Sequence, residues 1–600
     1  MNAGMHPRTL YQVLEESAAQ FGDAPALRQP STGKDGHREY LTYSWNQYKT
    51  AAQEIAAGLR SIGIRKGDVA ALDSETRLEF YLADLGILAA GGVAAALYPT
   101  YPPRDLIRTI TACGAKALFV EDPKTLDALH GAPDMPRILL TGEAEGALSL
   151  DQLRELGRAA LAEDAEYMAR LKAEVTPTDY AILYLTSGVT GEPKMALVTH
   201  AAVVANADMA PARWPIGPND ATVAFLPSAH IAQRVVMEFL TMRQGTPVSF
   251  AESLLKLPQD IREVRPTMFL APPRMWERIY TTICTELRKR PAVARRAFYG
   301  ALGLALAAAR YKHQGKPVPA RIRVPLNLAD RLIFQKVRAR LGGRLTLACS
   351  GAAPLSKELA EFYEAIGMPL IEGYGLTEGG VATLNPIDQP RAGSIGTALP
   401  GVELRIAEQD SELLIRSPCL FCGYVGDPEA TAEVMRDGWL HTGDIAFIDD
   451  EGFVFITGRK KELIVSSTGK KIHPSHVESL FKFEPLISQI MLVGDRLPYL
   501  TALFTINPAV AETLKGMDML KGRTTAEMAA AEPVQKEIQK VVVRVNKQLA
   551  PFEQIRKYRV LGRDFSIEDG ELTATMKVRR TRVMENFRES IDELYAGREV

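Results

Sequence analysis

Five cysteines in 600 residues are too few for a disulfide framework. Cys419 and Cys422 form a single C-x-x-C, and neither a second pair at zinc-ligand spacing nor a thioredoxin-like context accompanies it, so they read as packing residues. Charge of one sign is also missing: 71 basic and 72 acidic side chains leave a net charge of -1, which gives no global field for nucleic acid. The first two dozen residues form an amphipathic pattern without a basic start and a long apolar core, so no export signal is expected. The most apolar runs, 85–97 and 301–309, fall short of the ~20 residues that a spanning helix needs. A cytoplasmic chain is expected. There is no internal repeat, no low-complexity segment and no Walker A order.

What is present is alternation. Residues 1 to about 175 repeat an amphipathic helix, a Gly stop and an apolar strand, the pattern of helices packed on a mostly parallel sheet. The charged stretch 153–174 reads as a solvated connecting helix. An apolar strand, AILYL, then runs into TSGVTGEPK. Thr186, Ser187, Gly188, Thr190 and Gly191 supply hydroxyls, free N–H groups and positive-φ positions, and Lys194 adds a cation; together these make an anion nest. The alternative is an ordinary solvated turn before a helix around 201–209.

Later stretches carry further candidates. His230 follows a strand and a Pro turn, and reads either as a helix cap or buried polar group or as a catalyst. The helical stretch 276–340 is rich in Arg and Lys; Arg288, Lys289, Arg290, Arg295 and Arg296 are either a solvated basic face or an attractor of phosphates or of an anionic membrane. A strand ending in Gly351, Ala352 and Ala353 lets a flat ring lie on the backbone, or only permits tight packing. PLIEGYGLTEGG offers Tyr374 for stacking, Thr377 as a hydroxyl and Glu378 as a hard oxygen ligand suited to Mg2+. Short antiparallel strands follow, with Asp444 placed to accept from vicinal hydroxyls and Arg459 at an apparent boundary. The remainder mixes strands and helices as a small α+β unit, and carries Lys577 in LTATMKVRR.

Taken together, TSGVTGEPK, GAAPL, YGLTE, WLHTGD, TGRKKELI and LTATMKVRR resemble the signatures of the adenylate-forming superfamily, specifically its long-chain fatty acyl-CoA synthetases, from about residue 10 to about 585. The resemblance implies an α/β fold: a large N-terminal domain (1–460) of two α/β sheet subdomains plus a β-barrel-like subdomain, and a small mobile α+β domain (461–600). It implies ATP-dependent activation of a fatty acid to an acyl-adenylate, then transfer to CoA, with Mg2+. Thr186, Ser187, Gly188, Thr190, Gly191 and Lys194 are then expected around the phosphates, with Thr186 and Glu378 near Mg2+. Gly351, Ala352, Ala353 and Tyr374 are expected around adenine, Glu372, Gly375 and Thr377 among the other nucleotide-binding positions, and Asp444 and Arg459 at the ribose. His230 is expected at the acyl or thiol entrance, Lys461 at the hinge, and Lys577 at the α-phosphate. Three positions depart from the pattern: Val189, Met195 and Ala574 stand where Thr, Gly and Pro are usual. Rival readings are an acyl-AMP ligase loading an acyl carrier protein, a P-loop NTPase, and a noncatalytic lipid-binding scaffold. Peripheral membrane association is compatible with the sequence.

Overall fold

A computed structural model describes residues 7–33, 37–187, 193–467, 469–512, 520–573 and 576–596. Two mixed sheets dominate it. The eight-stranded sheet runs, in spatial order, Gly423–Tyr424, Pro193–Thr199, Tyr180–Ser187, Val93–Ala96, Val69–Asp73, Ala117–Val120, Arg137–Leu139 and Leu148–Ser149. It is parallel from Tyr180–Ser187 outward to the last strand and antiparallel on the other side. In the nine-stranded sheet, Leu370–Leu376, Leu347–Ser350, Met268–Ala271, Thr222–Ala224, Val248–Phe250 and Pro25–Thr32 form a parallel centre with antiparallel edges. Central strands such as VAAA, ALFV, MFLA and LACS are buried at every residue, as expected of strands covered by helices on both faces.

Local sequence explains many of the helix starts. Thr9 with Gln12, Ser44 with Gln47 and Ser149 with Gln152 close capping boxes at three N-termini, each satisfying two otherwise unpaired backbone donors. The stretch expected to be a solvated connector is instead two helices, Leu150–Glu163 and Tyr167–Glu174. The first packs on Trp45–Ser61 and buries Leu150, Leu153 and Gly157. That crossing depends on missing side chains: a Cβ on Gly157 would lie 1.8 Å from the Glu54 carbonyl oxygen, and one on Gly58 would lie 2.2 Å from that of Leu153. The apolar run 301–309 also belongs to a longer element, Ala292–His313. This 22-residue helix is long and apolar enough to cross a membrane by length and composition alone.

A five-stranded antiparallel unit follows, Glu403–Ile406, Glu412–Arg416, Met435–Arg436, Trp439–Ile448 and Val454–Arg459, corresponding to the expected barrel-like part. Beyond it lie a two-stranded ladder, Ile464–Val465 with Lys471–Ile472, and a three-stranded sheet, Ile487–Val493, Leu500–Ile506 and Ile555–Val560. Ile464 to Val560 share an apolar cluster that takes in no residue from before 464. Contacts back to the large part include the stacked rings of Tyr280 and Phe483, 4.6 Å apart, and a bond that the Arg274 guanidinium donates to the Ser488 carbonyl.

Candidate active site

Parallel strands end on one side of a sheet, and loops leaving those ends converge. Here the carboxyl ends of Tyr180–Ser187, Leu347–Ser350 and Leu370–Leu376, together with the loop after Thr222–Ala224, border a cavity of about 300 Å3. Its wall includes Thr186, Lys194, His230, Gly351, Ala352, Tyr374, Gly375, Thr377, Glu378, Arg459, Lys461 and Lys577. These twelve positions are scattered over nearly 400 residues of sequence, and each was singled out from sequence.

The glycine-rich turn does not lead straight into a helix. Tyr180–Ser187 and Pro193–Thr199 are antiparallel partners, with Thr186 opposite Lys194, and the helix His200–Met209 starts after them, capped by the Thr199 hydroxyl. Thr186 Oγ1 donates to the Lys194 carbonyl at 3.4 Å. Gly188, Val189, Thr190 and Gly191 lie outside the described residues, as does the side chain of Ser187. The Lys194 ammonium sits 4.9 Å from the centre of the Tyr424 ring and 4.0 Å from the Asp427 carboxylate. The Tyr424 hydroxyl donates to Glu378 Oε1 at 2.6 Å. Lysine, tyrosine and glutamate are thereby held as a group in the cavity wall.

A second group surrounds Asp444. Its strand pairs in register with Val454–Arg459, which sets Asp444 directly across from Arg459. Arg459 Nε donates to Asp444 Oδ1 at 2.9 Å, and the Tyr374 hydroxyl donates to Oδ2 at 2.5 Å. Burial, then the Asp444 charge, pushes the Tyr374 phenol well above its ordinary value. The Asp444 charge, chiefly, also raises the Arg459 guanidinium. Asp444 itself is buried and stands behind the cavity wall, which its two partners line. Glu372 and Ala353 are likewise off the wall. Glu372 is paired in register with Ser350, and burial, partly offset by a backbone hydrogen bond at Leu355, raises its carboxyl to about 8. It is a buried strand residue. Ala352 lines the cavity with φ 70°, a left-handed conformation that costs a non-glycine residue energy and recurs at ligand sites.

Two titrating groups face each other across the cavity. Lys577 is open to the cavity but surrounded by protein, and this desolvation, then the positive charge of Arg459, lowers its ammonium to about 8. His230 is lowered to about 3 by burial and then by Lys577, so its ring is neutral at physiological pH. Its Nδ1 accepts from the Ala232 N–H at 3.2 Å, which puts the ring proton on Nε2. The cap and the cavity-facing roles considered from sequence therefore coexist in one residue.

The lining also includes an apolar set: Trp214, Ile231, Val236, Leu270 and Leu384. Sequence reading missed Tyr424 and Ser350. No linear signal ties Tyr424 to a carboxylate 46 residues away, and Ser350 is distinguished only by burial with its hydroxyl lacking a hydrogen-bond partner among the described residues. A cavity lined by both cations and apolar side chains suits a phosphorylated ligand meeting an amphiphile. Among the described residues no group of three or more His, Cys, Asp or Glu could hold a metal by itself.

Comparison with known proteins agrees with this chemistry. Residues 14–425 match the family model described as AMP-binding enzyme, and residues 461–599 match that of the AMP-binding enzyme C-terminal domain. Long-chain-fatty-acid–CoA ligase FadD15 of Mycobacterium bovis is 36% identical over 556 residues, covering 91% of each chain. Long-chain-fatty-acid–CoA ligase ACSBG2 of Gallus gallus is 30% identical over 98% of this chain and 81% of its own. Among solved structures, the adenylation domain of a carboxylate reductase from Mycobacterium chelonae superposes with a TM-score of 0.75 at 23% identity, covering 99% of this chain and 92% of that one. ATP-bound MatB from Rhodopseudomonas palustris gives 0.70 at 21% identity, covering 97% and 100%. These two structures share the fold.

Proposed function

The chain belongs to the AMP-binding enzymes, and from that premise we infer that it is a long-chain fatty acid–CoA ligase, forming an acyl-adenylate from ATP and then an acyl-CoA. A carboxylate is a poor acyl donor because oxide is a poor leaving group. In the first half-reaction a carboxylate oxygen attacks the α-phosphorus of ATP and pyrophosphate departs. In the second, the CoA thiol loses its proton and attacks the acyl carbon, and AMP leaves. The observation that carries this reading is that Lys577, Lys194 and Arg459 line one cavity together with apolar side chains such as Trp214, Val236 and Leu270.

The roles of individual side chains follow from that geometry. Lys194 and Thr186 would face the departing phosphates, where fixed positive charge stabilises the transition state. Asp444 would accept from ribose hydroxyls while holding Arg459 and Tyr374 in place. Lys577 would bridge the α-phosphate and the incoming carboxylate, an electrostatic and positional contribution. Neutral His230, with its proton on Nε2, would border the acyl carbonyl. The carboxylate of Glu378, one of whose oxygens accepts from Tyr424, and the Thr186 hydroxyl fit a hard cation that takes most of its ligands from phosphate and water. These two residues would hold Mg2+, which would offset phosphate charge.

The thiol must reach the same carbon that Lys577 guards. Rotation of the C-terminal unit about Lys461 would withdraw Lys577 and present residues 466–471, an exchange of one surface for another between two steps. The test is acid-dependent pyrophosphate release across carboxylic acids from short to very long, with and without CoA. Long-chain acids should give pyrophosphate and acyl-adenylate without CoA, and AMP and thioester once CoA is added. Hydrolysis to ADP, or turnover independent of the acid, would sink the assignment.

A further inference from the structure

We propose that the stacked rings of Tyr280 and Phe483 form a catch that holds the C-terminal unit against the large part with Lys577 in the cavity. Both are then positioning residues for the first half-reaction, a role that rests on the ligase reading above. Phe483 follows directly on the helix Pro474–Lys482, yet its ring leaves the apolar core of its own unit. Among the described residues it is the only one beyond 464 that packs against the apolar core of 223–370. Its plane lies 23° from that of Tyr280, with 4.6 Å between ring centres. Two further contacts between the parts are polar or adjoin the hinge. One is the Arg274 bond to the Ser488 carbonyl; in the other, His473 packs on Gly458 so closely that a Cβ there would lie 2.4 Å from its Nδ1.

Each ring is connected to the cavity through contacts on its own side. On the large side, Tyr280 meets Phe362 edge-on at 4.8 Å, and Phe362, Tyr363 and Trp276 follow ring against ring at 5.3 and 5.2 Å. The fully buried Trp276 donates to the Cys349 carbonyl at 3.0 Å. Cys349 lies in the strand whose end supplies Gly351 and Ala352 to the cavity wall. On the small side, Glu478 lies on the helix that Phe483 ends, and Arg580 donates to both of its oxygens at 2.7 and 2.6 Å. Arg580 is three residues from Lys577. Glu478 also accepts from the Leu492 N–H at 2.8 Å, which ties helix, strand and the 577–580 segment into one body. Closing the stack therefore fixes Lys577 relative to the nucleotide wall.

Stacked aromatic pairs contribute more than the area they bury, and separating the parts would return both rings to water. Separation would also rehydrate Lys577, whose ammonium is lowered to about 8 by loss of water and then by Arg459. Of the other charged groups facing it, Asp444, Glu462 and Glu378 act in the opposite direction, and His230 is neutral. An opened catch therefore returns the ammonium toward its ordinary 10.5. That shift is a signature that a generally damaged fold lacks.

The experiment compares the full chain with Phe483→Ala, Tyr280→Ala, the double variant and Tyr280→Phe. Acid-dependent pyrophosphate exchange should fall by about tenfold or more in each alanine variant, and its alkaline limb near pH 8 should move upward. Thioester formation from supplied acyl-adenylate and CoA should not fall. The double variant should be no worse than either single one, since all three remove the same contact. Tyr280→Phe keeps the ring and should behave as the parent. Trypsin cleavage after Lys460 and Lys461 should speed up in the alanine variants, with or without substrates. Equal loss in both half-reactions, additive losses, an unmoved limb, or unchanged exchange and proteolysis would overturn the proposal. If the parent released no pyrophosphate with any acid, the ligase reading would fall, and proteolysis alone would decide for or against the catch.

Discussion

At the scale of single residues, the site depends on a cation that its surroundings partly discharge. The Lys577 ammonium, lowered to about 8 by desolvation and then Arg459, is active only when charged. The adenylation kcat/KM, which reports the free enzyme, should therefore fall as pH rises through about 8. Lys577→Arg should push that limb upward, and pyrophosphate-exchange profiles would reveal it. The lowered value also means that charging Lys577 opposes folding, fully below about 8 and no longer above its ordinary 10.5. Lys577→Met should then melt higher than the parent at pH 7, with the gain shrinking at strongly alkaline pH, while adenylation is lost. Thioester formation from supplied acyl-adenylate should be much less affected in Lys577→Ala; equal loss in both assays would count against a role confined to the first step. Asp444→Asn leaves Arg459 and Tyr374 without their charged acceptor. A charge-assisted bond contributes about 1.5–3 kcal/mol, so kcat/KM for ATP should drop roughly 10- to 100-fold by that range.

Elements position these residues through packing. The π-helical segment Gln233–Leu240 follows directly from the His230 cap and carries Val236 into the cavity wall. It is anchored by Arg234, whose guanidinium donates to Asp84 with both side chains fully buried. Burial, then the Asp84 charge, raises the Glu238 carboxyl well above its usual range. Arg234→Met should cost about 3–5 kcal/mol, because an unpaired buried carboxylate remains. Arg234→Met/Asp84→Leu should recover much of that loss in denaturant melts, and no recovery would mean that packing alone explains the damage. At the crossing of Trp45–Ser61 with Leu150–Glu163, Gly157→Ala puts a methyl group inside the Glu54 carbonyl. The helices must part, and a loss of about 1–3 kcal/mol is expected.

For the whole molecule, the separate apolar core of 464–560 suggests a unit able to keep its fold while it turns. A chain ending at residue 460 should retain a cooperative melt and nucleotide affinity but lose adenylation, since Lys577 is gone. Loss of the cooperative melt on truncation would show that the two parts fold only together.

Much was legible in the residues themselves. Helix-strand alternation pointed to the α/β class, and short signatures brought Thr186, Lys194, Tyr374, Glu378, Arg459 and Lys577 under suspicion, because backbone propensity and phosphate chemistry are local. Three-dimensional packing decided what no local pattern contains. Tyr424 reaches Glu378, Asp444 stands behind Arg459 and Tyr374, Glu372 turns away from the cavity, and 150–163 is buried against a helix a hundred residues earlier. Those outcomes depend on strand order and helix crossing, which are set by how distant apolar faces share one core, and the depressed charge of Lys577 exists only where that core removes water from around it.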